Sequence, residues 1–104
     1  MNRNGILQLL GLARKANKII IGGDRILELI KKQKILIVFI GKDSSMNTIK
    51  RFENKCFHYK IAISKEFTSE ELSKAVGKAM CKVLGVADRS FYNIIAKQLN
   101  GGIT

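Results

Sequence analysis

The sequence has 104 residues, with 19 lysine and arginine residues against 8 aspartate and glutamate residues and a formal net charge of +11. This length predicts a single domain spanning residues 1–104, and a hydrophobic share of 46% is large enough for a core, which excludes a disordered chain. The longest unbroken apolar run covers residues 35–40, far short of the roughly 20 residues of a membrane-spanning helix, and no secretory signal pattern precedes it. We therefore expect a cytoplasmic protein without a membrane partner.

The first part of the chain predicts a helix, a short strand and a second helix. Residues 6–16 place apolar side chains at spacings of three and four, which is typical of an amphipathic helix, and leave Arg14 and Lys15 outside the apolar stripe. Residues 18–21 are mostly β-branched and stop at two glycines, as a short strand does. A second helix begins near Asp24, because an acidic residue suits the first turn of a helix. The apolar positions are Ile6, Leu9, Leu10, Ala13 and Ala16 in the first helix and Ile26, Leu27, Leu29 and Ile30 in the second.

The middle of the chain predicts a central strand, a third helix and a third strand. Residues 34–40 form a continuous, mostly β-branched run bounded by Gly41, which is typical of a strand buried on both faces. Ser44 and Ser45 are candidate N-caps for the third helix. The apolar face of that helix is formed by Ile49, Phe52 and Cys56. We predict the third strand at residues 59–63.

The last third of the chain predicts two more helices and a fourth strand. Thr68 and Glu71 have the spacing of a capping box, in which each side chain accepts a hydrogen bond from the backbone amide of the other residue. That helix extends to Gly77, and residues 83–87 form the fourth strand. Asp88 then caps the last helix. Its inward positions are Phe91, Ile94, Ile95 and Leu99, and its end is at Asn100-Gly101-Gly102.

Helices and strands thus alternate along the whole chain. This order requires crossover connections and places helices on both faces of the sheet. The predicted fold class is therefore α/β, as a three-layer α/β/α sandwich with a mixed four-stranded sheet.

The residues that most often carry catalysis or bind metals are few and scattered. Cys56 and Cys81 are 25 positions apart, which fits no zinc-binding spacing, and we interpret both as small buried apolar residues. Cys56 and His58 would form a thiolate and its base only with a third, orienting group, and none is evident, so we expect His58 to be structural or on the surface. Paired carboxylates and a glycine-rich phosphate loop are also missing from the pattern. We predict no enzyme, no metal site and no cofactor.

The segment Gly22-Gly23-Asp24-Arg25 is the strongest candidate for binding. A strand ends there, two glycines allow close approach of the backbone, and a helix begins with its amides exposed, an arrangement that attracts phosphate. Basic residues that can meet the phosphates of a polyanion precede this segment. They are Arg14, Lys15 and Lys18. A tight turn with solvated lysines is the alternative interpretation of this local pattern.

The distribution of charge favours a nucleic-acid partner. The first 23 residues contain no acid, and residues 1–51 carry 11 basic and 3 acidic side chains against 8 and 5 in residues 52–104. Such an excess predicts nucleic-acid affinity that falls with salt. The few aromatic residues do not form the stacking platform of sheet-based single-strand binders, and no helix-turn-helix, zinc-finger or leucine-zipper pattern is present. Structured RNA is therefore the expected partner, and DNA is not.

Four segments together resemble a known family of RNA-binding proteins. They are Gly11-Leu12-Ala13-Arg14-Lys15-Ala16-Asn17-Lys18, Gly22-Gly23, residues 35–48 with Gly41-Lys42-Asp43-Ser44-Ser45, and residues 71–78 with Ala75-Val76-Gly77-Lys78. In order and spacing they are similar to the bacterial YlxQ-like branch of the kink-turn RNA-binding ribosomal proteins. The wider family includes the archaeal and eukaryotic large-subunit proteins L-seven-Ae and L-thirty-e. The resemblance covers essentially the whole chain.

The resemblance implies an α/β/α sandwich that binds an RNA kink-turn, a sharply bent internal loop with tandem sheared G·A pairs. It also implies a ribosome- or rRNA-associated protein of the translation machinery. In the family, the contacts come from the turn before the second helix, from the start of that helix and from the loop after the fourth helix. Carried over to this chain, the RNA-binding residues are Lys18, Gly22, Gly23, Asp24, Arg25, Lys78, Ala79 and Met80, and we add Arg14 and Lys15 as phosphate contacts.

One part of the family pattern is changed in this chain. Many members have Gly-x-Asn-Glu-x-x-Lys where residues 22–28 read Gly-Gly-Asp-Arg-Ile-Leu-Glu. Asp24 accepts hydrogen bonds but cannot donate as Asn does, Arg25 cannot accept from a guanine, and Glu28 repels phosphate where Lys attracts it. These changes favour a less specific contact with the RNA backbone. They also leave open an alternative function, a protein-interaction adaptor that keeps the fold without specific kink-turn recognition.

Overall fold

The computed structural model describes residues 2–99, which form five α-helices and four β-strands in alternation, as the apolar pattern predicts. In chain order the elements are α1 Arg3–Lys15, β1 Ile19–Ile21, α2 Gly23–Lys31, β2 Ile37–Ile40, α3 Met46–Tyr59, β3 Ala62–Ser64, α4 Ser69–Val76, β4 Val83–Val86 and α5 Arg89–Leu99. Within residues 2–99, no helix has the length and apolar character needed to cross a membrane.

Polar side chains cap the helices where the sequence places them. Ser45 caps α3 by accepting a hydrogen bond from the Thr48 amide at 3.2 Å. At α4, the Thr68 hydroxyl accepts from the Glu71 amide at 3.1 Å, and the Glu71 carboxylate accepts from the Thr68 amide at 3.0 Å. The Asp88 carboxylate caps α5 in the same way. These three predicted caps are confirmed because each depends on residues only three positions apart.

The four strands form one mixed sheet in the order β1-β4-β2-β3. β4 lies antiparallel to both β1 and β2, whereas β2 and β3 run parallel. The long run of β-branched residues in β2 is therefore central in the sheet, as predicted, and β1 and β3 are the edge strands.

Alternate residues of the central strands face two separate core layers. Ile37 and Phe39 of β2 pack in the layer formed with α1, α4 and α5. Val38 and Ile40 pack in the layer formed with α2 and α3. Helices therefore cover both faces of the sheet, which confirms the three-layer α/β/α sandwich.

The third strand begins later than the predicted range of residues 59–63. α3 continues to Tyr59, and Lys60 adopts a left-handed backbone conformation, with φ of 58°, that ends the helix. β3 begins only at Ala62, where pairing with β2 begins. The prediction was wrong because contact with the neighbouring strand, rather than local β-propensity, decides where this strand starts.

The central strand is also shorter than the predicted range of residues 34–40. Gln33 is left-handed, with φ of 59°, and the Lys34 amide donates to the Leu29 carbonyl at 2.9 Å, so this segment completes the end of α2. Lys34 is exposed, and ladder pairing begins at Ile37. The apolar run therefore includes part of a helix-to-strand connection.

Two apolar residues predicted to face inward are exposed. Ile94 of α5 is 47% exposed, because this helix packs on the sheet along one face only and its fully buried position is Ile95. Ala16 is exposed as the C-cap of α1. The predicted end of the last helix, at residues 100–102, lies outside the described residues.

Candidate nucleic-acid interface

The two main predicted contact segments come together at one end of the sheet. β1 runs antiparallel to β4, so its last residue, Ile21, pairs with Leu84 near the start of β4. The turn at Gly22 therefore lies beside the loop of residues 77–82, which leads into β4. β1, β2 and β3 end here and β4 begins here. We term this the glycine end of the sheet, and the other the opposite end.

The two glycines of the turn differ in backbone conformation and in surroundings. Gly22, the N-cap of α2, has φ of 113° and ψ of 123°, a conformation that residues with a side chain rarely adopt. A Cβ on Gly22 would meet nothing within 4 Å, whereas one on Gly23 would lie 3.4 Å from Phe52 and 3.9 Å from Val83. Gly23 thus packs the turn against the core residues Phe52 and Val83. Since Gly22 offers no side-chain cap, the first-turn amides of α2 remain available to an anion.

The first turn of α2 carries the changed family residues. Asp24 and Arg25 are both exposed there. Glu28, one turn further on, pairs with Lys32 at 3.3 Å. Both side chains of this pair are more than half exposed, so it contributes little to stability. The pair nevertheless places a cation beside the carboxylate that the sequence predicts to repel phosphate.

The loop of residues 77–82 is held at its ends and exposed in its middle. Gly77 ends α4 in the left-handed conformation, with φ of 68°. The Cys81 amide donates to the Ser73 hydroxyl at 2.7 Å, which ties the loop back to α4. The residues between these anchors are all exposed: Lys78, Ala79 and Met80. The loop therefore presents a cation and an apolar thioether beside the glycine turn.

A groove of about 530 Å³ between α1 and α4 continues from this loop. Arg14 and Lys15, at the end of α1, line it together with Lys74 and Gly77. The Arg14 Nε is buried and has no hydrogen-bond partner among residues 2–99. A buried donor without an acceptor is unfavourable, so this guanidinium is held in place by packing rather than by a hydrogen bond at Nε.

The cations of the groove and the loop are close in space. Burial raises the pKa of the Cys81 thiol, and the positive charges of Lys78 and Arg14 both act on this thiol in the opposite direction. Arg14 from α1 and Lys78 from the loop therefore both lie near one buried residue.

Asp43 orders the loop after β2 at the same end of the sheet. Its carboxylate accepts hydrogen bonds from the Ser69 hydroxyl at 2.6 Å and from the Ser69 amide at 2.7 Å. These bonds hold the pKa of Asp43 below its usual value, and Lys82 acts in the same direction. The negative charge of Asp43 is thus engaged with the start of α4.

Lys18 lies away from the turn at Gly22. It precedes β1 at the opposite end of the sheet, where its carbonyl accepts a hydrogen bond from the Ala87 amide at 3.0 Å. The length of β1 separates Lys18 from Gly22 by about 13 Å along the strand. The structure therefore brings Arg14 and Lys15 beside Gly77 at the start of the loop, whereas Lys18 lies at the far end of β1 from the turn at Gly22.

Residues 4–96 match the model of the ribosomal protein L7Ae/L30e/S12e/Gadd45 family. The chain belongs to this family. Two similar curated proteins are both named RNA-binding protein YlxQ. The one from Enterococcus faecium is 34% identical over 90 residues, covering 86% of each chain. The one from Bacillus subtilis (strain 168) is 33% identical over 92 residues, covering 88% of this chain and 92% of the relative.

Solved structures share the fold. A Bacillus halodurans protein of unknown function superposes with a TM-score of 0.87 at 27% identity, covering 91% of this chain and 96% of the other. The 15.5 kD RNA binding protein of Giardia lamblia superposes with a TM-score of 0.83, covering 95% of this chain and 85% of the other. Its identity is 15%, so this likeness concerns the fold alone.

One groove residue of this L7Ae/L30e-family chain was not singled out by the sequence analysis. Lys74 lies in the last turn of α4 and lines both the groove with Arg14 and a depression beside Lys78. Its position three residues before the helix-ending Gly77, outside the apolar face, is the pattern that could have indicated it. The contact with α1 was not readable from the sequence, because it depends on how two helices pack.

Cys56 and His58 do not form a pair. Both lie on α3, where residues two positions apart face different directions, so that Cys56 is buried and His58 is exposed. Burial raises the pKa of the Cys56 thiol to about 11, so the thiol is uncharged at neutral pH. Within the described part of the chain, no three His, Cys, Asp or Glu side chains are grouped so that they could hold a metal ion.

Proposed function

We propose that this chain binds structured RNA at the glycine end of its sheet. The observation that carries the proposal is the meeting of two exposed segments, the turn at residues 22–25 and the loop at residues 77–82. The family resemblance implies RNA contacts from these same two segments. The YlxQ relatives are both named as RNA-binding proteins, which supports RNA as the ligand.

The interface has the composition of a surface for phosphate backbones. Gly22 allows close approach, and the amides that follow it favour an anion. Arg14 and Lys15 supply cations along the groove, and Lys78 supplies one in the loop. Backbone amides, cations and one thioether are groups for binding, so the role that we propose is recognition rather than catalysis.

We further propose that the favoured RNA is a kink-turn, and that the protein acts on rRNA or the ribosome in the cytoplasm. The support for this finer function is the resemblance to kink-turn binders over the whole chain. Asp24 and Arg25 lower the preference for sheared G·A pairs, because they replace the donor and acceptor of the family pattern. The affinity then depends more strongly on phosphate contacts.

The direct test is a fluorescence titration with a kink-turn RNA and with the same RNA in which Watson-Crick pairs replace the G·A pairs. We expect the protein to prefer the kink-turn by about tenfold, or about 1.4 kcal/mol. The titration is repeated at two salt concentrations, because phosphate contacts weaken as salt rises. Equal, salt-sensitive binding to both RNAs would reduce the function to general binding of RNA backbones. No binding at low salt would favour the protein-interaction adaptor instead.

Two sets of variants locate the interface. In the double variant K15Q/K78Q, the slope of log affinity against log salt should fall by about 2, because two phosphate contacts are lost. The control K55Q/K97Q removes the same charge from side chains that line neither the groove nor the loop. The variant D24N/R25E restores the Asn-Glu of the family pattern and should raise the preference for G·A pairs. If the control and K15Q/K78Q weaken binding equally, the glycine end is not the interface.

A further inference from the structure

The opposite end of the sheet carries four exposed basic residues: Lys18, Lys34, Lys60 and Arg89. We propose that this opposite-end patch is a second RNA-binding surface, so that one protein can hold two RNA segments at once. The inference rests on the proposed function, because the first segment is the RNA held at the glycine end. The second segment is a duplex that is recognised through its phosphates.

The connections at the two ends of the sheet differ in charge. At the glycine end, the connections after β2 and β3 each contain one basic and one acidic residue, Lys42 with Asp43 and Lys65 with Glu66, whereas the loop of residues 77–82 contains two lysines and no acid. At the opposite end, each connection that leads into β1, β2 or β3 contains lysine and no acid. The connection after β4 contains the one acid of this end, Asp88. Apart from the loop of residues 77–82, the positive excess of the connections therefore lies at the opposite end.

The four cations of the patch belong to one continuous surface. Lys60 and Arg89 line a shared depression of about 340 Å³ with Gln33, which directly precedes Lys34 in the chain. The Lys18 carbonyl accepts from the Ala87 amide at 3.0 Å, two residues before Arg89. The patch therefore extends across the width of the sheet, from its β1 edge to its β3 edge.

Carboxylates do not neutralise these cations within the described residues. The ion pairs found in residues 2–99 are Arg3 with Glu71, Lys32 with Glu28, and Lys65 with Glu53, and none includes a member of the patch. The Asp88 carboxylate, close to Arg89, accepts a hydrogen bond from the Phe91 amide at 2.9 Å as the cap of α5. Unpaired cations that share one surface create a positive potential that attracts a polyanion.

The backbone holds the patch in place. Lys34 donates its amide to the Leu29 carbonyl at 2.9 Å, and Lys60 donates its amide to the Phe57 carbonyl at 3.2 Å. These bonds form the C-terminal caps of α2 and α3, so the backbone of both lysines is fixed by hydrogen bonds.

RNA fits this surface better than a protein or a membrane does. A stable protein interface needs a buried apolar centre, and a membrane-bound helix needs a broad apolar face. The depression instead offers Tyr59 and Tyr92, both half-buried, between the cations. Arg89 lies over the Tyr92 ring at 5.7 Å, so even this aromatic ring faces a cation. Because the two ends of the sheet face apart, a duplex on the patch is a different segment from the RNA at the glycine end.

The test measures whether the complex with the first RNA takes up a second one. The full-length protein is saturated with kink-turn RNA carrying one fluorophore, and a short RNA duplex carrying another is titrated in at low and at physiological salt. The triple variant K34Q/K60Q/R89Q is compared with K50Q/K55Q/K97Q, which removes the same charge from α3 and α5. Thermal unfolding of both variants checks that the fold is retained.

We expect the wild-type complex to bind the duplex without releasing the first RNA. K34Q/K60Q/R89Q should bind the duplex at least tenfold more weakly at low salt and lower the salt slope by about 2 to 3, while K50Q/K55Q/K97Q should bind nearly as the wild type does. Equal loss in both variants, or release of the first RNA as the duplex binds, would overturn the proposal.

The test separates this inference from the proposed function. If K15Q/K78Q leaves binding of the first RNA unchanged but K34Q/K60Q/R89Q abolishes duplex binding to the free protein, the proposed function at the glycine end fails and the opposite-end patch stands. If K15Q/K78Q weakens binding of the first RNA and no duplex binds to the complex at low salt, the proposed function at the glycine end stands and the second RNA-binding surface is ruled out.

Discussion

At the scale of single residues, the two glycines at the turn into α2 differ in what constrains them: backbone conformation at Gly22 and packing at Gly23. Gly22 has a positive φ and empty space around the position of a Cβ, whereas Gly23 has ordinary helical geometry and packs on Phe52. A side chain is thus excluded at Gly22 by the backbone alone. The sequence predicted that the two glycines form a turn, but it did not distinguish their roles, because φ at each position depends on how β1 leads into α2.

Gly22→Ala should destabilise the protein by about 1 to 3 kcal/mol, since the alanine must adopt a strained backbone conformation. Gly23→Ala is the matched control and should stay within about 0.5 kcal/mol of the wild type, because a Cβ there makes ordinary contacts. Urea unfolding followed by circular dichroism measures both values. Equal free energies of unfolding for the two variants would show that the positive φ is not required.

At the scale of elements, helices α1 and α4 approach each other closely at a glycine. A Cβ on Gly11 would lie 2.8 Å from the Ala75 carbonyl oxygen, so only glycine allows this packing. The approach places Arg14 and Lys15 beside Gly77 at the start of the loop. The groove of the interface thus depends on this helix contact.

Gly11→Ala should lower the free energy of unfolding by about 1 to 2 kcal/mol, because overpacking at the helix contact outweighs the gain in helix propensity. It should also weaken RNA binding, since the end of α1 moves away from the loop. Asn54→Ala, at an exposed position of α3 that does not line the groove, is the control and should be neutral or slightly stabilising. A Gly11→Ala protein that is more stable than the wild type would contradict the close contact.

The elements also show which boundaries a sequence can predict. The capping box of Thr68 and Glu71 was predicted because it is local. In contrast, Arg3 from α1 also binds the Glu71 carboxylate, at 2.8 Å, and no local pattern indicates that contact. The start of β3 at Ala62 was missed for the same reason, since it is decided by pairing with Ile37.

At the scale of the whole molecule, the sheet divides the core into two layers that each contain one cysteine. Cys81 is buried in the layer with α1, α4 and α5, and Cys56 in the layer with α2 and α3. Burial raises the pKa of both thiols, that of Cys56 to about 11. Each thiol can therefore serve as a probe of one layer. The burial of both confirms the prediction that they are small buried residues.

Both thiols should resist iodoacetamide in the native protein at neutral pH, because they are buried and protonated. In urea, both should become reactive in one transition that coincides with the loss of circular dichroism, as expected for a single cooperative domain. Mass spectrometry of alkylated peptides follows each thiol separately. The variant K97C, with a cysteine at an exposed position, should react at all urea concentrations. Alkylation of one cysteine at clearly lower urea would mean that the two layers unfold separately.

The sequence by itself determined the alternation of helices and strands, the helix caps and the segments that carry glycine and basic residues. These features depend on periodicity and on residues only a few positions apart. Only the tertiary structure decided that the turn at Gly22 meets the loop at Lys78, and that Lys18 belongs to the opposite end. The physical reason is the strand order, because antiparallel pairing of β1 with β4 joins segments that lie far apart in the chain.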